Sequence, residues 1–500
     1  MSHSSTTLPR RPTLAALGKQ NIVGSLRQWL AIDQNAKCRI MAGSAGGRLL
    51  IAAVCGLSLL PHFSDWEAVL LVVAAMAAAA LPDWRNRILF VTTWTAVLLA
   101  TALGGNDTLE NIRSVLHREQ INTLPPTLLA TGCLILGLLG AFWVIHHVRQ
   151  APGSVLARRP LLTLLLIETL LCGLASVDIM QGLPRALIWA AIFTLTPYIW
   201  FLPYAIVDQR NKEASPPLLQ LATLRPFWSP GYLPFGKGAA FLRKHLAKTP
   251  EELAVTQLKA VKLLVWANVL FVMNDALYWL AYEQGKLPAV HTALDAFLSG
   301  QPYPIIASWL ALIVSATRFA LQVATWAHLF IGIARLAGYR LPRGSWRPLE
   351  SRTLMDYFNR FHFYFKELLV DFFFIPTFFK VFKKHPRLRM FFATFMAAGV
   401  GNAIWHFLRD IHLVAQQGLA PALTSYTSYL FYCVVLATGV GLSQVRANLG
   451  IRPNDSHLGR LYSFVFVWSF VICLHLFSDG SRQHTLAERL LFFTSLFGIK

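Results

Sequence analysis

The sequence predicts an all-α, polytopic membrane protein, and its composition and patterning are the reasons. Hydrophobic residues make up 55% of the 500-residue chain and charged residues only 14%, against roughly 25% charged in ordinary soluble proteins. The mean hydropathy is +0.49, and the apolar residues form long runs separated by basic segments. A helix satisfies its backbone hydrogen bonds within one segment, as lipid requires. The composition excludes a disordered chain, a disulfide scaffold and a typical cytosolic enzyme.

Twelve segments are candidate spans, since a membrane-crossing helix needs about 20 mostly apolar residues. They are 49–61, 66–82, 88–104, 124–147, 161–179, 185–207, 260–282, 304–337, 388–414, 425–445, 461–478 and 487–499. The first and last are short enough to be interfacial or re-entrant, so the prediction is a bundle of about 10–12 spans. The run 304–337 is too long for one straight span and is expected to tilt or to extend beyond the bilayer.

The distribution of basic residues predicts the orientation. With the N-terminus in the cytoplasm and strict alternation of the spans, the outer loops contain four basic residues: Arg113, Arg118, Lys286 and Arg482. The inner segments contain most of the rest, as the positive-inside rule requires. This distribution accounts for the net charge of +21 without nucleic acid as a partner. The first residues lack a long apolar stretch, so no cleavable signal peptide is expected.

The expected organisation is a basic cytoplasmic tail over residues 1–48 and one membrane-embedded domain over 49–500. Two long inner segments, 208–259 and 338–387, are expected to be functional, as long ordered insertions usually are. Within the first of them, Thr249-Pro250-Glu251-Glu252 predicts a helix start, with Thr249 as N-cap and Glu252 completing a capping box. That helix would run directly into the span at 260–282.

Polar residues inside three of the spans are candidates for function, because ionisable groups are costly in a membrane. At helical spacing they form three polar faces: Asn274, Asp275, Tyr278 and Tyr282; Arg318, Gln322, Thr325 and His328; and Asn402, His406, Arg409 and Asp410. Three helices with one polar face each predict a common hydrated cavity. In the alternative interpretation, Arg318 pairs with Asp275 only to hold two helices together.

His406 differs from its neighbours because it follows small residues, in AGVGNAIWHFLRD, that permit close helix approach. A neutral imidazole there can hydrogen-bond within the bundle. It can equally act as a general acid or base near neutral pH. The residues alone leave both roles open.

A motif within the second long inner segment resembles a known family signature. Five residues fall at matching spacings without a gap: Arg360, His362, Asp371, Ile375 and Pro376. The Trp405-His406 pair follows some thirty residues later within an apolar helix. This pattern resembles membrane-bound O-acyltransferases (MBOAT), in the branch with alginate O-acetyltransferase and the teichoic acid D-alanyl transferase. The resemblance covers about 220–415.

Several positions depart from that signature. Phe361 stands where the family usually has Trp, and Val370 stands where it usually has the Arg before the Asp. The family's Leu-Ser stretch is absent, and Phe407 replaces the Gly that usually follows Trp-His. The resemblance is therefore to a divergent member.

The resemblance implies transfer of an acyl group, with acetyl expected from the branch, from a cytoplasmic thioester to a hydroxyl. The donor would be acyl-CoA or an acyl carrier protein. The acceptor would be a glycan, a lipid or a lipophilic metabolite. No cofactor would be bound. The resemblance also implies that His406 is the base and that Asn402 orients the acceptor or the imidazole. His362 is a further candidate catalytic residue, which would line the cytoplasmic mouth or have a purely structural role. Asp371 would line the site or hold a structural contact; on one continuous helix it would point away from His362. The further candidates for substrate binding are Arg360, Arg318, Asp275 and Asn274.

Two inner features suit a donor. Lys380, Lys383, Lys384, Arg387 and Arg389 lie beside an aromatic run. They are expected to hold an interfacial helix on anionic lipid, or to attract an acidic carrier protein or the phosphates of coenzyme A. Gly236-Lys237-Gly238 is a weak phosphate-loop pattern without Walker spacing.

Two other functions remain open at this point. A transporter or flippase would explain the spans and polar faces, although no internal repeat is visible. A catalytically silent relative that scaffolds a membrane complex would explain the lost Arg before Asp371.

No metal site is expected, because no Glu or Cys accompanies the candidate histidines at ligand spacing. The resemblance to a bacterial branch implies the inner (cytoplasmic) membrane, as a multi-pass protein in contact with membrane lipids; the endoplasmic reticulum would be the eukaryotic equivalent.

Overall fold

The fold is described by a computed structural model covering residues 31–103, 107–229, 231–478 and 482–499. Over these ranges the regular secondary structure is helical, and no β-strand forms. An isolated backbone bridge joins Leu246 to Tyr339. The predicted all-α class is therefore confirmed. Residues 1–30 of the predicted tail lie outside the described residues.

The α-helices are numbered in chain order over the described ranges. The first eleven are α1 Ala36–Gly43, α2 Ala45–Leu59, α3 Asp65–Ala80, α4 Arg85–Ala102, α5 Asp107–Arg118, α6 Pro126–Gln150, α7 Val155–Arg158, α8 Pro160–Ala175, α9 Leu183–Leu195, α10 Leu202–Asp208 and α11 Pro217–Ala222. The next seven are α12 Ala239–Lys244, α13 Pro250–Tyr278, α14 Val290–Leu298, α15 Ile305–Leu336, α16 Leu354–Phe361, α17 Phe363–Leu369 and α18 Ile375–Phe378. The last seven are α19 Pro386–Phe395, α20 Asn402–Arg409, α21 His412–Gln417, α22 Leu419–Ser425, α23 Thr427–Asn448, α24 His457–His475 and α25 Leu486–Ser495. Three π-helical segments, Trp279–Gln284, Val370–Phe374 and Met396–Gly401, interrupt or extend them.

Six helices of the described chain are long and apolar enough to cross a membrane, or up to nine if each bent pair counts as one span. The six are Pro126–Gln150, Pro250–Gln284, Ile305–Leu336, Pro386–Arg409, Thr427–Asn448 and His457–His475. The count is below the predicted 10–12 because several apolar runs fold as shorter or bent elements. The run 49–61, for example, is one arm of a pair bent by 97°. The chain is thus a multi-pass helical bundle with fewer straight spans than hydropathy indicates.

Helix α13 begins with the predicted Thr249 N-cap and Pro250, but the predicted capping box does not form. The Thr249 hydroxyl accepts a hydrogen bond from the Glu252 backbone N–H (3.1 Å), and Pro250 occupies the first turn. The Glu252 carboxylate accepts from the backbone N–H of Lys248 (2.8 Å), one residue earlier than a capping box requires. The helix then continues through the π-helical segment at its C-terminal end and finishes at Gln284.

Helices α13 and α15 are antiparallel, because Leu246 before α13 pairs with Tyr339 after α15. Gly332 of α15 lets the two helices approach closely: a Cβ at this position would lie 2.7 Å from Cδ2 of Leu264. We call the end of the bundle that contains Leu246 and Tyr339 the basic end. The start of α24 lies there too, because Ser315 near the far end of α15 contacts His475 at the end of α24 (3.1 Å).

Part of the predicted tail packs onto this bundle. The Asp33 carboxylate pairs with Nζ of Lys262 on α13 (2.6 Å), and Arg39 on α1 pairs with Glu251 (3.2 Å). Helix α1 therefore lies against the basic end rather than apart from the membrane domain.

Replacing Gly332 by Val should overpack the α13–α15 contact and lower the free energy of unfolding by about 1–3 kcal/mol. The measurement is thermal unfolding of the purified protein in detergent. Gly140→Val is the matched control, since no atom lies within 4 Å of a Cβ built on that helical glycine. Equal melting temperatures for the two variants would contradict the close approach at Gly332.

Candidate functional site

A cavity of about 580 Å³ lies between α15, α16, α17, α20, α23 and α24; we call it the central cavity. Its lining is mainly aromatic and aliphatic. Asn359, Lys366 and Gln444 line it toward the basic end. Two polar residues line its other end: Arg409, the last residue of α20, and Ser478, which lies just beyond the C-terminus of α24. An apolar chamber that is polar at both ends can hold an amphiphilic ligand.

Three of the predicted residues meet in this cavity. His406 and Asn402 lie one turn apart on α20, and both line it together with His362. The π-helical segment Met396–Gly401 precedes them, and its small residues permit close packing as predicted. A Cβ on Gly401 would lie 2.7 Å from Cδ2 of Phe373. This approach brings α20 against the segment that follows His362.

His362 occupies a break in the chain rather than the middle of a helix. It separates α16 from α17, with φ −126° and ψ 56°, and its ring contacts the ring of Phe361 at 4.5 Å between centroids. His362 is thus the N-cap of the helical stretch that carries Asp371, rather than a residue within it. The break directs His362 into the cavity, while the helix after it carries Asp371 elsewhere.

Three buried polar atoms around His406 have no hydrogen-bond partner within the described chain. They are Oδ1 of Asn402, Nε1 of Trp405 and Nδ1 of His406. Buried polar atoms are nearly always paired, so unpaired ones beside a cavity indicate a ligand or water. The group comprises one acceptor, one donor and one titratable nitrogen. It can therefore bind a polar group at several points.

Aromatic rings hold the His406 imidazole in place. Its centroid lies 4.4 Å from that of Tyr429 and 4.7 Å from that of Trp405, and Phe365 meets it edge to face at 6.1 Å. Sequence reasoning missed Tyr429, which lies within an apolar run and gives no signal of its own. Its place follows only from the packing of α23 on α20.

The end of the cavity opposite the basic end has a second polar cluster. The Asp410 carboxylate pairs with Arg409 (2.7 Å) and also with Arg482. His475 contacts the hydroxyls of Ser315 (3.1 Å) and Ser478 (3.3 Å). Sequence reasoning missed His475 as well, although an ionisable residue at the end of an apolar span was the available signal.

Asp371 does not line the central cavity. Its carboxylate pairs with Nζ of Lys237 (2.7 Å) and accepts a hydrogen bond from the Tyr204 hydroxyl (3.1 Å). Lys237 also pairs with Glu367 (2.9 Å). The lysine of the Gly-Lys-Gly pattern therefore has two internal carboxylate partners, and the contact joins the loop before α12 to the helix after His362.

The other two polar faces do not reach the central cavity either. Arg318 donates to Oδ1 of Asn274 (3.3 Å) and lies over the ring of Tyr278 at 4.6 Å. Asp275 accepts from the Asn274 amide (3.3 Å), and no ion pair joins it to Arg318 within the described residues. The predicted common cavity for all three faces is wrong, because the α13 and α15 faces meet each other instead.

Arg360 and the five-residue basic run lie at the basic end. Arg360 pairs with Asp356 (2.7 Å) and borders a pocket distinct from the central cavity. Lys380, Lys383 and Lys384 are exposed, and Arg389 lies over the Phe378 ring at 4.2 Å.

No protein-family model matches this chain, and no curated protein is significantly similar to it. Within the part of the chain that the structure describes, no group of three or more His, Cys, Asp or Glu residues is placed to hold a metal ion. The site is thus defined by its own geometry.

The Lys237 contact should contribute to stability over a defined pH range. Burial opposes the charge on Lys237, but its two carboxylate partners outweigh burial and raise its pKa above 10.5. Burial likewise opposes the charge on Glu367, but Lys366 and Lys237 lower its pKa below 4.5. The stabilisation is therefore lost as the pH falls below 4.5 through the lowered pKa of Glu367, or rises through the raised pKa of Lys237.

Lys237→Gln should lower the free energy of unfolding by about 1–2 kcal/mol at pH 7, since the groups are only partly buried. Thermal unfolding in detergent at pH 7 and pH 4 measures the effect. The difference from wild type should shrink at pH 4, because the pH is then below the pKa of 4.5 of an unperturbed Glu and the advantage of holding Glu367 ionised is decreasing. Exposed Lys380→Gln is the control; a similar loss in that variant would rule out a specific role for the Lys237 contact.

Proposed function

We propose that this protein is a membrane-bound O-acyltransferase similar to the MBOAT enzymes, which moves an acyl group from a thioester to a hydroxyl. One observation carries the proposal: His406, with its unpaired Nδ1, lies beside Asn402 and His362 in a cavity lined at both ends by polar residues. Acyl transfer needs a base for the hydroxyl and room for two substrates, and a histidine inside a cavity with polar groups toward both ends supports this proposal.

The chemistry assigned to His406 is general base catalysis followed by general acid catalysis. The imidazole takes the proton of the acceptor hydroxyl while the hydroxyl oxygen forms a bond to the carbonyl carbon of the thioester. The carbon–sulfur bond then breaks, and the leaving thiolate takes that proton from the imidazolium. The acyl group passes from sulfur to oxygen and the proton passes from the hydroxyl to the thiolate, so the reaction balances without another reactant.

The unpaired polar atoms suit the rest of the reaction. The indole N–H of Trp405 is an unpaired donor beside His406, and such a donor stabilises the oxyanion that forms on the carbonyl. His362 lies in the same cavity on the break between α16 and α17, where it would contact the donor's acyl group. Asp371 supports the site through Lys237 and touches no substrate in this scheme.

The proposed orientation places the basic end and the N-terminus in the cytoplasm, in line with the positive-inside rule. An acyl-CoA or acyl carrier protein would then reach the cavity past Asn359 and Lys366. The hydroxyl acceptor would reach it from the end that contains Arg409 and Ser478. The proposed location is the cytoplasmic membrane, with an acetyl group as the first candidate to test.

Transport is the second candidate function, because a cavity with polar residues toward both ends also suits a solute pathway. A transporter moves its substrate unchanged. Covalent acylation of a cellular product therefore separates the two proposals.

Replacing His406 by Gln should reduce the acylated product by about 100-fold or more, since general acid–base catalysis contributes roughly 10²–10⁴-fold. The measurement is comparative mass spectrometry of envelope glycans and lipids. It compares wild type, a deletion strain, and the deletion strain complemented with each variant at matched protein level. His362→Gln should reduce the product less, because that residue is assigned to binding rather than to proton transfer.

His146→Gln is the matched control, since His146 is exposed on α6 and far in sequence from the cavity. It should restore the wild-type profile. Full restoration by His406→Gln would exclude the base assignment. Loss of solute flux with an unchanged acylation profile would favour the transporter.

A further inference from the structure

A second pocket, of about 460 Å³, lies at the basic end and is lined by an excess of positive charge. We call it the basic pocket. Its charged lining consists of Lys259, Lys262, Arg335, Arg343, Arg360 and Asp33. Five cations thus face one carboxylate. Sequence reasoning placed only Arg360 among the candidate ligand-binding residues of this group.

Internal pairing neutralises two of the five cations. Lys262 pairs with Asp33 at 2.6 Å, and both side chains are largely buried. Arg360 pairs with Asp356 at 2.7 Å, and its guanidinium lies 5.1 Å from the ring of Trp346. These contacts fix the walls of the pocket before any ligand arrives.

The other three cations have no carboxylate partner within the described residues. Arg335 donates from Nε and Nη2 to the backbone oxygen of Leu341 (3.0 and 2.6 Å), which orients it without neutralising it. Lys259 and Arg343 are exposed at the pocket rim. Lys259 and Arg335 also border a smaller pocket, of about 280 Å³, with Glu251 and Glu252, but those carboxylates pair with Arg39 and Arg340.

Three unneutralised cations around one concave pocket repel each other, and a bound anion would remove that repulsion. Guanidinium groups match the geometry of phosphate oxygens, and a lysine adds a point charge. Trp346 supplies an apolar wall beside them. We propose that the basic pocket binds a ligand with two phosphate groups. The ligand is either a soluble diphosphate or the headgroup of a lipid that has two phosphodiester groups, such as cardiolipin. The inference does not depend on acyl transfer.

The pocket also has a physical link to the central cavity. Asn359 lines both, and it adjoins Arg360 on α16. A ligand held in the basic pocket therefore lies at the mouth through which the cavity is reached from the basic end. Occupancy of the pocket would change access to the cavity.

The test uses the purified full chain and two probes. Inorganic pyrophosphate is titrated by calorimetry into delipidated protein in neutral detergent. Retention of cardiolipin is measured by native mass spectrometry after extraction from nanodiscs of phosphatidylcholine with cardiolipin. The pocket variant is Lys259→Gln/Arg343→Gln. The control is Lys380→Gln/Lys384→Gln, which removes the same charge from an exposed segment outside the pocket.

The expected result is that the pocket variant binds at least one probe about tenfold more weakly while the control binds as wild type does. Weakened pyrophosphate binding assigns the site to a soluble diphosphate, and weakened cardiolipin retention alone assigns it to a lipid headgroup. Equal weakening in both variants, or no binding of either probe, would overturn the proposal. Both pocket substitutions fall on exposed side chains, so the variant is expected to fold.

A measurement on the wild-type chain gives an independent check. An amine-reactive reagent should modify Lys259 more slowly in the presence of the bound probe, while Lys380 should react at an unchanged rate. Equal protection of the two lysines would mean that the probe binds the basic surface in general, and the proposal would fail.

Discussion

In a bundle that excludes water, each buried polar group must find a partner within the protein, and this constraint accounts for most of the polar contacts described above. Arg318 is held by Asn274 and by aromatic rings, and Glu168 accepts a hydrogen bond from Thr196. Several buried polar atoms of the described chain lack such a partner, and those around His406 differ from the others because three of them lie together. An acceptor, a donor and an imidazole nitrogen are thus unpaired beside one cavity.

Irregular backbone is what brings these groups together. A break at His362 and a π-helical segment before Asn402 each change the direction of the chain next to the cavity. Mid-helix π segments are uncommon and occur frequently at functional sites. The contact of Gly401 with Phe373 shows why the small residues are needed there, since a side chain at that glycine would separate the two irregular segments.

Composition was enough to predict the all-α membrane fold, and local chemistry was enough to predict the Thr249 cap. The placement of His362, Asn402 and His406 in one cavity followed from the motif rather than from periodicity. Hydropathy overcounted the spans because it measures apolar content and not the bends that shorten a helix. Pairings between distant segments, such as Lys237 with Asp371, depend on tertiary packing, which a single sequence does not encode locally.

The basic pocket illustrates the same limit for charge. Its cations come from α13, α15, the loop after α15 and α16, so they are dispersed in sequence and become a cluster only when the bundle assembles. The contiguous run from Lys380 to Arg389 gave the stronger sequence signal, yet most of it is exposed and encloses no pocket. Contiguous charge therefore indicates a surface that lipid or solvent can neutralise. Dispersed charge that the fold gathers around one concave pocket is directed at a single point, which makes it the better guide to a specific anion.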